Sequence, residues 1–451
     1  MGERLFGTDG IRGLANIHPM TAEMALKVGR AAGRVFQKED RQHTILIGKD
    51  TRRSCYMIEN ALTAGLLSMG LRVLLTGPLP TPGVSYIMRS LRCDGAIMIS
   101  ASHNPYADNG IKLFAADGFK IQDALEDEIQ RLIETGEVDD IRPTGDRVGV
   151  ARRIDDAVGR YIEFAKAAFP KGMRLDGLRI VMDCANGAGY KVGPETLREL
   201  GAEVIPINDH PDGLNINERC GSVHPEEMRA TVIRTKADVG VAFDGDGDRI
   251  AMADENGRLL EGNAILALLG VDMIERGALP RNTLATTIMA NGGLERALAR
   301  AGGRVVRAQV GDRSVVEAML KDGLILGGEP SGHMILLEHN VTGDAMIAAL
   351  HVLATMIRKD QLLSAIAHLY HEMPECHRRV PMENGHRAAQ SALDAIAAEA
   401  QAEINGQGRV VIRRSGTEPV VRVMVQHEEL RRAEQLAEQL AARVAEAAAA
   451  S

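Results

Sequence analysis

Three times along this chain a short, unbroken apolar run stops at a loop of small and polar residues: 96–99 before Ser100-Ala-Ser-His-Asn-Pro105, 239–243 before Asp244-Gly-Asp-Gly-Asp-Arg249, and 324–326 before Gly327-Gly-Glu-Pro-Ser-Gly-His333. Runs that are apolar at every position, and not alternately, suit strands buried on both faces, as in a parallel sheet flanked by helices. Ligands of such sheets bind beyond the carboxyl ends of the strands, and Ser102 falls there.

Around these runs helical and extended patterns alternate. In the first block helices are expected over 21–36, 54–69 and 83–90 and strands over 44–47, 73–75 and 96–99, a βαβ layout. Asn109-Gly110 reads as a hairpin turn into a strand over 111–114, which makes the first sheet mixed. A charged helix over 124–134 and a polar segment, 136–146, close the block. The second block carries a helix over 154–169, strands over 179–182 and 203–207 around a helix over 194–200, and the run 239–243. The third has strands near 284–288, 304–308 and 324–326. A long helix over 344–370 leads to a linker at Met373-Pro374. The remainder of the chain differs: a helix over 387–403, strands over 410–412 and 420–425, and an Ala/Glu-rich helix whose tail, 447–451, frays. The expected fold is α/β in four domains, 1–150, 151–252, 253–371 and 372–451: three similar α/β/α domains with mixed sheets, then a smaller α+β domain. The length of 451 residues asks for roughly three or four cores at about 100–200 residues each.

Charge and cysteine content narrow the function. A formal charge of -8 argues against general binding to nucleic acid or anionic membranes, while permitting a local basic pocket. Cys55, Cys93, Cys184, Cys220 and Cys376 are odd in number, widely spaced and free of CxxC pairs, as expected of reduced thiols in the cytoplasm. The longest apolar runs fall far below the ~18 residues of a membrane span, and no signal-like segment opens the chain.

Each loop carries its own chemistry. Ser102 is the candidate nucleophile, against the plainer reading that Ser102, His103 and Asn104 cap a turn before Pro105. In Asp244-Gly-Asp-Gly-Asp-Arg249 three carboxylates alternate with two glycines. Extended backbone points such residues to one side, and the glycines let the chain curl until three oxygens meet a hard cation. A calcium loop needs glycine where this chain has Arg249, and a helix where it has a leading strand, so Mg²⁺ is expected. Mg²⁺ usually takes ligands from phosphate, which points to a phosphorylated partner. Glu329, Ser331 and His333 suit gripping sugar hydroxyls and moving a proton, although their loop also fits a plain turn. Arg413-Arg-Ser-Gly-Thr417, with Arg422 on the next strand, offers guanidinium forks, the Ser415 and Thr417 hydroxyls and the Gly416 amide to a phosphate; a solvated basic turn is the alternative. Arg12 is expected on the opposite wall. Lys112 faces either solvent or the reacting phosphate. A nucleophile, a metal site, a hydroxyl grip and an anion clamp, one per block, together describe a phosphosugar site.

These residues resemble the α-D-phosphohexomutase superfamily over essentially the whole chain. Phe6-Gly-Thr-Asp-Gly-Ile-Arg-Gly13, Ser100-Ala-Ser-His-Asn-Pro105, Asp244 to Arg249, Gly328-Glu-Pro-Ser-Gly-His333 and Arg413 to Pro419 occur in that family's order. The resemblance implies that Ser102 carries the transferable group as phosphoserine, which completes the shell of one Mg²⁺ held by Asp244, Asp246 and Asp248. Arg249 and Arg12 would neutralise that phosphate, with His103 and Lys112 beside it. Glu329 and Ser331 would bind the sugar, with His333 a nearby proton carrier; Arg413, Ser415, Gly416, Thr417 and Arg422 would bind its phosphate. The small last domain, hinged near Met373-Pro374, would open for substrate and close to exclude water.

The opening motif and the turn Val310-Gly-Asp-Arg313 favour the amino-sugar subgroup over phosphomannomutase/phosphoglucomutase. The implied reaction is an isomerisation. Ser102 phosphate passes to O1 of glucosamine 6-phosphate, the resulting 1,6-bisphosphate reorients, and its 6-phosphate returns to serine. Hexose 1,6-bisphosphate would be intermediate and activator, and the product would feed UDP-N-acetylglucosamine and cell-wall precursors. A small phosphosugar is the expected partner, with no nucleic acid and no membrane; a homodimer is allowed. One residue departs from the subgroup, which carries Gln where this chain has Pro330. Readings outside mutase chemistry are a phosphatase and a phosphosugar sensor without transfer.

Overall fold

The structure, a computed structural model, describes residues 4–7, 9–38, 41–382, 389–404, 406–414 and 420–449. Four sheets carry it. The first runs Ile11–Leu14, Asp108–Ala115, Gly95–Ile99, Thr44–Lys49, Arg72–Pro78, Ala151–Arg153. Its apolar runs divide their side chains between two cores. Ile45, Ile47, Ile97 and Ile99 pack with Val28, Ile58 and Leu62 from the helices Ala22–Phe36 and Ser54–Ser68, while Leu46, Ala96 and Met98 meet Val84, Ile87 and Tyr161 from Thr81–Ser90 and Ala157–Ala167 on the other face. That double burial is why these strands show no polar alternation.

The second sheet runs Leu259–Leu260, Ile250–Asp254, Val239–Phe243, Arg179–Asp183, Glu203–Ile207, and the third Arg304–Ala308, Thr283–Thr287, Leu326–Gly328, Met334–Leu336. Their cores merge: Met182, Phe243 and Met252 belong to one apolar cluster with Leu266, Leu294 and Leu350. The fourth sheet, Glu375–Pro381, Val420–His427, Gly408–Arg414, is antiparallel, and one face is covered by Gln390–Ile404 and Leu430–Ala449. It joins the third unit at Asn291. That side chain caps the helix Gly292–Arg300 through the Gly293 N–H (2.9 Å), accepts from the Met373 N–H (2.8 Å) and donates to the Met373 carbonyl (2.9 Å), so the expected linker begins at a pinned point. Among the described residues no helix is long and apolar enough to cross a membrane.

Several expectations need correction. The first sheet is mixed, but Asn109-Gly110 lies inside the strand Asp108–Ala115 and is no turn; the chain reverses through residues 101–107. Asn109 donates its amide to Ser54 Oγ (2.8 Å), and a Cβ on Gly110 would stand 2.5 Å from the Ser100 carbonyl oxygen, so both residues answer tertiary demands. The helix expected over 344–370 stops at Lys359, where Asp360 turns left-handed (φ 50°), and resumes as Leu363–Ala367. The last strand of the first sheet, Ala151–Arg153, lies beyond the boundary drawn at residue 150. The strand read at 324–326 is Leu326–Gly328. Residue 387, the start expected for the helix Gln390–Ile404, lies outside the described residues. Helix continues to Ala449, so residues 447–449 are not frayed.

Candidate active site

Ser102 sits at the carboxyl end of Gly95–Ile99, buried, with a left-handed backbone (φ 50°). Its hydroxyl donates to Asp244 Oδ2 at 2.5 Å and lies 3.3 Å from His103 Nδ1. The Ser102 N–H is held by Ser100 Oγ (2.9 Å), whose own hydroxyl donates to Asp50 (2.6 Å). Burial, with Arg249 and Arg12 nearby, holds the His103 pKa down at about 4, so its imidazole is neutral near pH 7.

The acidic loop follows Val239–Phe243 as a turn, not as the extended segment expected. Asp244 braces that turn by accepting the backbone N–H groups of Asp248 and Arg249 on Oδ1, both at 3.2 Å. A Cβ on Gly245 would stand 2.6 Å from the Ser102 carbonyl oxygen, so glycine is what lets the two loops touch. One oxygen from each of Asp244, Asp246 and Asp248 lies within 4.8 Å of the others. Asp246 Oδ1 and Asp248 Oδ1 are buried with no hydrogen-bond donor among the described residues. Burial, then Asp248 and Asp246, push the Asp244 carboxyl well above its ordinary pKa. Crowded carboxylates with vacant lone pairs, all of hard oxygen, fit a divalent cation such as Mg²⁺.

Cations surround this cluster. Lys112, buried, is not turned to solvent: its ammonium reaches Asp246 (2.9 Å), Asp9 (3.4 Å) and Asp248 (3.9 Å). Burial opposes its charge, but Asp246, Asp9 and Asp248 outweigh that and raise its pKa. Arg12 pairs with Asp9 and approaches the Ala101 carbonyl (3.4 Å), beside Ser102. Arg249 Nε is buried without an acceptor among the described residues, and burial is overcome by Asp248 and Asp244, which raise its pKa.

His333 joins this cluster from the third unit, with Nδ1 3.6 Å from Asp248 and Nε2 4.0 Å from Asp312. Burial disfavours its charged form, yet Asp248 and Asp312 raise its pKa. Glu329 Oε1 accepts the Gly311 N–H (3.2 Å), and Ser331 stands exposed on the same loop. Arg413 and Arg422 face one another across neighbouring strands, and Arg379 lies opposite Arg422 on the other side, so three arginines share one row of the fourth sheet. Burial and then Arg422 lower the Arg413 pKa, and Arg413 Nε is buried without an acceptor among the described residues, as suits an anion site. Ser415, Gly416 and Thr417 lie outside the described residues.

The structure adds groups that sequence reading missed. Asp9 takes Arg12, Lys120 and Lys112; Lys120 also donates to Asp312 (2.6 Å), tying the first unit to the third. Thr81 Oγ donates to Asp246 (2.7 Å). Asp9 and Asp312 fall inside motifs singled out above, whereas Lys120 and Thr81 carry no local signal.

Comparison with known proteins agrees with this geometry. Residues 3–139, 159–257 and 261–373 match phosphoglucomutase/phosphomannomutase alpha/beta/alpha domains I, II and III, and 378–443 its C-terminal domain. The chain is 50% identical to phosphoglucosamine mutase of Anaeromyxobacter dehalogenans over 99% of its length and 100% of the relative's. It is 53% identical to that of Magnetococcus marinus over 94% and 88%. A phosphoglucomutase/phosphomannomutase family protein of Burkholderia thailandensis shares the fold at a TM-score of 0.82 with 22% identity, covering 98% of this chain and 97% of that one. So does Aspergillus fumigatus N-acetylphosphoglucosamine mutase, solved with GlcNAc-6P and magnesium (TM-score 0.66, 20% identity, 98% and 96% covered).

Proposed function

Because the chain belongs to the phosphoglucomutase/phosphomannomutase family, we propose that it is an isomerase interconverting glucosamine 6-phosphate and glucosamine 1-phosphate, working in the cytoplasm and supplying amino-sugar precursors of the cell wall. The observation that carries this reading is the Ser102 hydroxyl set 2.5 Å from Asp244, beside two carboxylate oxygens without donors among the described residues.

Phosphoryl transfer needs in-line positioning and charge stabilisation more than covalent assistance from the protein. Ser102 Oγ carries the phosphoryl group, passes it to O1 of the sugar phosphate and takes back the group from O6 after the bisphosphate turns over. Asp244, Asp246 and Asp248 would hold Mg²⁺, which when bound supplies positive charge beside the transferring group. Lys112, Arg12 and Arg249 add fixed positive charge, with Asp9 holding Lys112 and Arg12 in place. Neutral His103 hydrogen-bonds Ser102 Oγ, the atom that gains and loses the group. Glu329 and Ser331 meet sugar hydroxyls, and the arginine row of the fourth sheet grips the phosphate that is not reacting.

Arg413→Ala is expected to act on binding. Loss of a partly buried charged contact costs about 2–5 kcal/mol, so KM should rise by about 30-fold or more, with a smaller change in kcat. Unchanged KM and kcat would place the phosphate grip elsewhere.

The substrate is tested by kcat/KM in a coupled assay with glucosamine, glucose and mannose 6-phosphates. Glucosamine 6-phosphate is expected to lead; a lead for either neutral sugar overturns the assignment. Pro330 bears on this. The Gly332 N–H donates to the Glu329 carbonyl (3.0 Å), making residues 329–332 a β-turn with proline second, where its fixed φ is favoured. Proline therefore holds Glu329 and Ser331 in one conformation, and Pro330→Gln is expected to leave the order of preference intact. A preference created only by the substitution would show that an amide there reads the 2-amino group.

A further inference from the structure

Ser102 is a non-glycine residue in left-handed backbone, a conformation that persists only where its surroundings over-determine it. Two side chains from different units supply that constraint. Arg52, fully buried just after Thr44–Lys49, donates from Nη2 to the carbonyl oxygens of Ser102 (3.0 Å) and Asn104 (2.8 Å). Asn217, from the second unit, donates from Nδ2 to the same two oxygens at 2.9 and 3.0 Å. Each nitrogen thus spends both hydrogens on one pair of carbonyls.

The clamp is itself braced. Asp50 Oδ1 accepts the Arg52 N–H (2.9 Å) and Oδ2 accepts the Ser100 hydroxyl (2.6 Å). On the other side, the Asn217 N–H donates to the Ala185 carbonyl (2.9 Å), and the buried Asp183 accepts the N–H groups of Ala185 and Gly221 (both 2.9 Å).

We propose that Arg52 and Asn217 are positioning residues for the phosphoryl transfer: by fixing the carbonyls of residues 102 and 104 they hold Ser102 left-handed, which keeps its Oγ on the acidic loop in both half-reactions. This rests on the mutase reading given above. Both residues are buried with these donors spent on the loop carbonyls, so the expected effect belongs to kcat. A rival account makes Asn217 only interface glue, like Thr51, whose hydroxyl donates across the same interface to the Asn186 carbonyl (2.5 Å) without touching the serine loop.

Asn217→Ala and the isosteric Asn217→Asp, which sets an acceptor against the two carbonyls, are compared with Thr51→Val in the full-length enzyme. The expected result is kcat lowered by about 10–100-fold in both Asn217 variants, with KM for glucosamine 6-phosphate within about twofold, and kcat within about twofold of wild type in Thr51→Val. Wild-type kcat in the Asn217 variants overturns the proposal, as does an equal loss in Thr51→Val or a loss that appears in KM. A crystal structure of Asn217→Ala reads the clamp directly, whatever the substrate turns out to be. Right-handed Ser102 with Oγ off Asp244 supports it, and left-handed Ser102 still on Asp244 refutes it. Failure of the wild type to turn over any hexose phosphate would instead fault the function assigned.

Discussion

Ser102→Ala should lower mutase turnover by about 10⁴-fold or more, the scale seen when a covalent nucleophile is removed while binding groups remain. The substitution deletes one atom, and that atom is where the Asp244 carboxylate and the His103 imidazole meet and where the proposed transfer takes place. The Ser100 and Thr81 hydroxyls do not replace it: Ser100 Oγ is occupied between the Ser102 N–H and Asp50, and Thr81 Oγ is spent on Asp246. The folded state loses little. Leaving Asp244 Oδ2 without its donor costs about 1–3 kcal/mol at most, so the variant should be purified folded. Intact mass should show wild type gaining one phosphoryl group from hexose 1,6-bisphosphate and the variant none. Turnover within tenfold of wild type would remove Ser102 from the mechanism.

Asp246→Asn should take metal and activity together. Asp246 Oδ2 already receives Lys112 and Thr81, which leaves Oδ1 as the atom free to bind an ion. An amide keeps a carbonyl oxygen there at best, with the charge gone and an NH₂ turned against the Lys112 ammonium. A weakening of Mg²⁺ on the order of 100-fold is expected if the loss resembles that from disturbing a ligand's support. Melting reports it without catalysis. An ion present at about 100 times its Kd stabilises the fold by about 2.7 kcal/mol, and after that weakening by only about 0.4 kcal/mol. Wild type should therefore melt higher with Mg²⁺ than with EDTA, and the variant should barely respond. An unchanged response, or full turnover in EDTA, would show that these carboxylates hold no catalytic ion.

How much of the fold is legible in the sequence depends on range. Strands buried on both faces announce themselves as apolar runs, as 239–243 does, and the partly buried edge strands 203–207 and 304–308 also fall at the bounds expected of them. Local propensity misleads where a distant partner decides. Asn109-Gly110 has every mark of a hairpin turn, yet the glycine is there for the Ser100 carbonyl and the asparagine for Ser54. Asp360 interrupts an apolar helical pattern by a single left-handed residue that no proline or glycine signals. Within the site, the residues proposed to carry chemistry stand in compact motifs. Those that support them, Arg52, Thr81, Lys120 and Asn217, are ordinary residues in ordinary contexts. Each acts on a group at least fifty positions away.

The position of Ala151–Arg153 in the first sheet also bears on how the protein is made. Until that strand pairs with Arg72–Pro78, the latter is an open parallel edge. On the ribosome its outer row of amides and carbonyls waits for about 70 more residues, roughly 4–14 s at about 5–20 residues per second. An apolar edge of that kind is a template for pairing with other chains. The same nascent segment already contains Ser102 but not Asn217 or the acidic loop, so it emerges sticky before it is reactive. Slow translation through residues 80–150 is thus expected to lower yield, and a slow stretch of codons to be tolerated better after residue 153 than before it.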